Sequence, residues 1–301
     1  MTAVPIPAPV AAARLRARPV SVTLATQLLR RPAAVVSLIV LAGLAAMAVL
    51  GPSIAPHGAE DQDYVHILAK PVWDGGTWTY PLGTDELGRD LLSRMIVGSR
   101  TALGLAFAAA LLTGVVGTAL GLVAGLYTRF LGPVIMWVVD AQLGFPYLVL
   151  ALALVAARGP SLTTVFIVLA LFGWVQFARV VRAEVLRVKT ADYVLAARGA
   201  GASELAIVLR HILPNVLSTT IVVGTFTFSA VLLVESGLSF LGAGVQPPTA
   251  DWGAMMAGGR VFLNTAWWYS VVPGVMVVIT VLAVNTLGAA VRSVLNPREA
   301  K

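Results

Sequence analysis

The chain has no cysteine, which excludes disulfides and thiolate chemistry and leaves its redox compartment open. It has little charge: Asp, Glu, Lys and Arg make up 12% of 301 residues, where a soluble domain carries about 25%. No glycine loop runs into Gly-Lys-Ser or Gly-Lys-Thr, so the chain lacks the cradle that holds nucleotide phosphates. The three histidines give no metal constellation, because His57 and His66 stand apart from His211 and all three are expected far from one another.

What fills the chain is apolar: 58% of its residues are hydrophobic, and charge is absent from whole windows. Neither Ala33 to Leu50 nor Thr101 to Thr128 carries a charged side chain. Roughly 20 such residues cross a bilayer as a helix. Six spans are expected, at about 33–51, 101–128, 131–157, 161–179, 214–236 and 266–291. Arg30 and Arg31 before the first stretch resemble a signal-peptide flank, but the stretch exceeds a signal core and reads as a retained span. Arg158-Gly159-Pro160 marks the turn of a helical hairpin, and Pro146 is expected to kink the third span.

The net charge of +7 is read as cations held on the inner side of a membrane, not as a nucleic-acid surface. Arg14, Arg16, Arg18, Arg129, Arg182, Arg187, Lys189, Arg210 and Arg292 then fall inside, with both termini in the cytoplasm. The acidic run from Glu60 to Asp90 lies outside. The expected division is a cytoplasmic segment 1–32 without fixed structure, a first span 33–51, an outer loop 52–98, a five-helix core 99–291 and a cytoplasmic tail 292–301.

Gly117, Gly121 and Gly125 recur one turn apart, the spacing at which helix backbones approach closely in lipid. Asp140 falls about 14 Å into the third span at 1.5 Å per residue. A carboxylate there either lines the path or holds a helix contact through Gln142 or a polar neighbour. Asp85, Arg89, Asp90 and Arg94 are expected on one helix face, stiffening the outer loop through ion pairs or touching an outside protein. Glu235 is expected to reach water and cap the following turn, with Trp252, Trp267, Trp268 and Tyr269 in an interfacial belt.

The stretch from Ala178 to Pro214 is too long for a connector and too apolar for a tail. It reads as two short helices at the inner surface: one capped by Asp192 and stopped by Gly199 and Gly201, one capped by Ser203 with Glu204 in its first turn. Pro214 is expected to end the second and open the next span. Such helices either rest in headgroups or dock another protein.

Here the residues carry a resemblance. Ala196-Ala197, Gly201 and Leu213-Pro214 are spaced as in the EAA loop of binding-protein-dependent ABC importers, with Leu195 where that pattern has glutamate and His211 where it has isoleucine. Gly83 to Asp90, Ser93-Arg94, Gly98 to Arg100, Arg210 to Asn215, Glu235 to Gly242 and Asp251 to Gly253 are similar to stretches of the dipeptide, oligopeptide and nickel permeases, the second permease of each pair above all. The resemblance runs from about residue 20 onward and implies an all-α, six-span permease with the type I importer fold and cytoplasmic coupling helices in a loop at 180–213. It implies a non-catalytic subunit in the bacterial inner membrane that passes di- or oligopeptides, or in another version nickel or a small solute. Its implied partners are a second permease, cytoplasmic ABC ATPase subunits that bind the ATP and Mg, and an extracytoplasmic solute-binding protein. Ala196, Ala197, Arg198, Gly201, Ser203, Glu204, Leu213 and Pro214 would couple to the ATPase. A self-sufficient channel or ion-coupled carrier would require several paired midplane charges, and only Asp140 is so placed.

Overall fold

The computed structural model describes residues 26–295, so the arginines at 14–18 and the last residues of the tail lie outside the described part. Among the described residues the regular structure is helical, apart from one isolated bridge between Thr84 and Asp90. After a helical turn at 26–29, ten α-helices follow among the described residues: α1 Pro32–Ile54, α2 Leu91–Leu126, α3 Leu131–Leu143, α4 Tyr147–Arg158, α5 Leu162–Lys189, α6 Asp192–Gly199, α7 Glu204–Ile207, α8 Leu213–Phe240, α9 Trp252–Gly259 and α10 Trp267–Leu295. Among the described residues five long apolar helices can cross a bilayer, and α3 with α4 is a bent pair whose combined length and composition suit a sixth broken span or a re-entrant loop.

Two spans outrun their apolar windows. α2 starts at Leu91, ten residues before the uncharged window, because Asp90 caps it: its carboxylate accepts from Leu92 N and Ser93 N at 3.3 and 3.1 Å. α5 continues to Lys189, carrying Arg182 and Arg187 past the expected end of the fourth span at Arg179. The third span is not one kinked helix. Gly144-Phe145-Pro146 separates α3 from α4 with an 82° change of direction, since Pro146 has no N–H and disfavours helix in the residue before it.

α2 and α5 pack along most of their length. The glycines of α2 are the reason: a Cβ on Gly121 would lie 2.7 Å from Val181 Cβ and 2.8 Å from Ala178 O, and one on Gly125 2.5 Å from Val185 Cβ. The partner of that seam is therefore a helix of the same chain. Around this pair sits the main core, with Ala102, Ala106 and Ala109 of α2, Val165 and Leu169 of α5, and Leu232 and Trp252. α1 packs on α2 and α10 at the rim, with Val36, Ile39 and Val49 exposed as lipid-facing residues would be.

The belt of aromatic residues does not form as expected. Trp252, Trp268 and Tyr269 are buried; only Trp267 is exposed. α9 is a short helix tucked between α8 and α10, and Trp252 donates its indole N–H to Met95 O at 3.0 Å. Glu235 does not reach water either. It is fully buried, its carboxylate accepts from Ser239 Oγ at 2.9 Å and Ser236 Oγ at 3.3 Å, and it faces Asp251, the N-cap of α9. An α8–α9 clasp replaces the expected solvent-exposed cap.

Candidate coupling elbow, outer loop and intramembrane ion pair

The elbow begins where α5 ends. α6 starts behind Ala191, whose side chain cannot cap, so Asp192 sits inside the first turn, where its charge suits the helix dipole without acting as the cap. The helix closes as sequence predicts: Ala200 N donates to Ala196 O at 2.9 Å, Gly201 N to Arg198 O at 3.0 Å and Ala202 N to Ala197 O at 3.1 Å. Gly201 takes φ of +86°, a left-handed value that costs an L side chain roughly 1–2 kcal/mol. Ser203 caps α7, its Oγ accepting from Ala206 N at 3.3 Å. Across the glycine turn the Arg198 guanidinium grips Glu204 with two bonds of 2.8 and 3.1 Å. That hydrogen-bonded carboxylate raises the guanidinium's pKa further. Both residues were candidates from sequence, but their pairing was not foreseen; six-residue spacing matches no helix rule.

Pro214 does not end a helix. α7, a π-helical turn at Val208–Ile212 and α8 run on as one 37-residue rod from Glu204 to Phe240. The wider turn bonds Leu213 N to Val208 O and lets the proline in without a break, while Asn215 Nδ2 donates to His211 O at 2.7 Å. Beneath the elbow Val194, Ile207, Ile212 and Val216 pack on Val181, Val185 and Val188 of α5. Above this footing Tyr193, Leu195, Leu205 and Leu209 are at least half exposed, beside the exposed Ala196 and Gly201. An apolar patch on a rigid, cation-flanked elbow suits the docking of another protein.

The outer loop is knotted by charge. Asp85 is fully buried, and Arg89 and Arg94 are nearly so. One oxygen of Asp85 accepts from the backbone N–H of Leu87 and Arg89, both at 2.9 Å; the other accepts from Arg89 Nε at 2.6 Å with Arg94 Nε 3.5 Å away. Arg94 donates to Ala59 O at 2.9 Å. Asp85 and Arg89 thus sit in a turn, not on the expected helix face, and burial keeps all four charges off the surface another protein would touch. The stiffening role fits the geometry. Farther out, Asp63 accepts from Tyr80 Oη at 2.9 Å and pairs with His66 at 2.7 Å. His57 and His66 both lie against the Tyr80 ring, 5.1 and 5.6 Å between centroids, so these two are neighbours and not far apart. No cluster of three metal-ligating side chains forms among the described residues.

Asp140 finds a partner that sequence did not name. It pairs with Arg179 Nη2 of α5 at 2.5 Å, and Gln142 braces the same junction by donating to Leu171 O at 2.7 Å. Both charged side chains remain more than half exposed, 66% for Asp140 and 53% for Arg179.

With this geometry in place, comparison with known proteins decides the family. Residues 117–301 match the family described as binding-protein-dependent transport system inner membrane component. The chain belongs to that family. Residues 24–71 match the N-terminal TM domain of oligopeptide transport permease C. Among relatives of this permease, a di/tripeptide transport system permease of Pseudomonas aeruginosa is 40% identical over 252 residues, 83% of each chain. Dipeptide transport system permeases of Haemophilus influenzae and Bacillus subtilis are each 36% identical over 266 residues, 88% of this chain and 90% and 82% of theirs. The chain is thus a multi-pass, all-helical transport permease subunit.

Proposed function

We propose that this permease forms half of the membrane pathway of an ATP-driven importer of di- and oligopeptides, working with a second, homologous permease. Cytoplasmic ABC ATPase subunits bind ATP and Mg and hydrolyse the nucleotide, and an extracytoplasmic solute-binding protein delivers the peptide. In this reading the permease catalyses no reaction, holds no cofactor and binds no nucleic acid. It lies in the bacterial inner membrane with both termini in the cytoplasm, on the side marked by Arg129, Arg182, Arg187, Lys189 and Arg210. The names of the di/tripeptide and dipeptide relatives support peptides as the solute.

The observation that carries the reading is the elbow at Asp192–Ile212. It is footed on α5, joined without a break to α8, and topped by exposed Leu195, Ala196, Gly201 and Leu205. ATPase closure beneath it would turn α8 as a rigid body, passing work into the membrane through Leu213 and Pro214. Ala197, Arg198, Ser203 and Glu204 set the shape of the docking surface.

Gly201→Trp tests it. No atom lies within 4 Å of a Cβ built there, so the ring meets no neighbour in the fold; the left-handed backbone adds about 1–2 kcal/mol of strain, which Gly201→Ala shares and controls for. The variant is expected in the membrane at wild-type abundance while peptide-stimulated ATP hydrolysis by the assembled complex falls at least tenfold. Unchanged stimulation would rule out the elbow as the coupling element.

A further inference from the structure

We infer that the cavity between α4, α5 and α8, together with the Asp140–Arg179 ion pair below it, is this subunit's contact surface for the peptide in transit: Tyr147 and Gln176 meet its backbone amides, and Asp140 and Arg179 its charged ends. The inference rests on the peptide-importer reading above.

The ion pair supplies the first half of the case. Asp140 lies about 14 Å from the Leu131 end of α3, and Arg179 about 15 Å from the Lys189 end of α5, at 1.5 Å per residue. Lys189 Nζ donates to Leu126 O at 3.1 Å, which sets the ends of α5 and α2 at one level. Arg182, Glu184, Arg187 and Lys189 follow Arg179 on the last turns of α5, so the pair stands at the inner end of the span, where charges more than half exposed face water or another subunit rather than hydrocarbon.

The cavity supplies the second half. It holds about 530 Å³, within the roughly 300–1,000 Å³ of small-molecule sites. Its walls include Tyr147, Phe172, Gln176, Phe226 and Thr227. Tyr147 stands edge-on to Phe172 at 4.8 Å, which fixes the ring, yet its hydroxyl is buried without a partner. Among the described residues the exposed amide of Gln176 has no hydrogen-bond partner either. Buried polar groups are almost always paired in a finished structure, so the Tyr147 hydroxyl awaits a partner that enters, and the exposed Gln176 amide stands open beside it. Gln176 precedes Arg179 by three residues on α5, so the cavity and the ion pair lie one turn apart on one helix face. A permanent subunit interface would cover the ion pair without needing the cavity. A moving peptide uses both: amides along its length, an ammonium for Asp140 and a carboxylate for Arg179. The apolar remainder of the walls makes no demand on side-chain identity, which suits a path that passes many sequences.

The natural absence of cysteine makes a direct test possible. The complex of permeases, ATPases and binding protein carrying Gln176→Cys is placed in proteoliposomes and treated with a charged, water-borne thiosulfonate during ATP turnover. Modification of that chain is expected at least tenfold faster than for Ile39→Cys on lipid-facing α1, and slower with excess dipeptide. Equal rates, or no protection by dipeptide, would overturn the inference while leaving the importer reading intact. In parallel, Asp140→Asn combined with Arg179→Gln is expected to lower ATP-driven dipeptide uptake at least tenfold with the second permease still co-purifying. Unchanged uptake, or loss of the second permease, would also overturn it, the latter by marking the pair as a subunit contact. If the wild-type complex takes up no peptide with ATP, the importer reading itself fails, and this inference with it.

Discussion

At the scale of single residues, the outer loop depends on one carboxylate. Asp85 satisfies two backbone donors and stands against both Arg89 and Arg94, nearly without water, with Glu86 supplying a second negative charge 3.6 Å from Arg89 Nη2. Removing one member of a buried ion pair strands the other charge and costs about 3–5 kcal/mol. Asp85→Ala is therefore expected to open the loop to added protease far faster than in wild type, whereas alanine at the exposed Asp74 leaves the rate unchanged. Glu235 makes the opposite case. Asp251 Oδ1 is buried without a partner, and the Glu235 carboxyl facing it is already bonded to Ser236 and Ser239. An amide at 235 keeps an acceptor for Ser239 and adds a donor for Asp251. Glu235→Gln should hold or raise the melting temperature in detergent, while Glu235→Ala lowers stability by about 1–3 kcal/mol through unmade hydrogen bonds. A large loss on the glutamine change would show that the charge of Glu235, and not its bonding geometry, holds α9 to α8.

At the scale of elements, the outer loop also has an acid limit. Hydrogen bonds from His66 and Tyr80 hold the exposed Asp63 carboxyl below its ordinary value of 3.8. A carboxyl depressed by folding stabilises the fold above its unfolded value, and that contribution disappears as pH falls through the lower, folded one. Protection of the loop's amide hydrogens, taken relative to their intrinsic exchange rates, is thus expected to fall below about pH 4, and Asp63→Asn to remove that step. Elements also show where sequence reading reached and where it stopped. The apolar windows located the five long spans, and Pro146 announced a kink where the chain in fact breaks, because hydropathy and the missing N–H of proline are local properties. The size of that break is not local; 82° depends on what α4 packs against. The same limit explains Trp252, Trp268 and Tyr269. Amphipathic rings near a span end fit an interfacial belt and a buried hairpin equally well, and only the folding of α9 between α8 and α10 distinguishes them. The shape of the elbow was legible because its signals, the turn at Gly201 and the cap at Ser203, act within three residues. The Asp140–Arg179 pair was not, since it joins two helices 39 residues apart along the chain.

At the scale of the whole molecule, the decisive feature is continuity. The rod from Glu204 to Phe240 runs from the exposed elbow, past the cavity wall at Phe226 and Thr227, to Glu235 and the α9 clasp. Motion imposed at one end therefore reaches the cavity and the far side together, provided the π-helical turn at Val208–Ile212 transmits it. A helix transmits bending only while its backbone bonds are unbroken, and the turn keeps them by bonding Leu213 N to Val208 O around the proline. Inserting two glycines after Ile212 would leave most of the elbow's footing on α5 in place, because Val194, Ile207 and Ile212 precede the insertion and only Val216 follows it. It would disconnect the rod. The assembled complex should then still bind its ATPases and hydrolyse ATP, yet lose at least tenfold in peptide uptake per ATP. The same insertion between Gly242 and Ala243, beyond the rod, should cost much less. Equal uptake per ATP for the first insertion and the wild type would mean that force enters the membrane through α5 instead, whose valines at 181, 185 and 188 form the other side of the same contact.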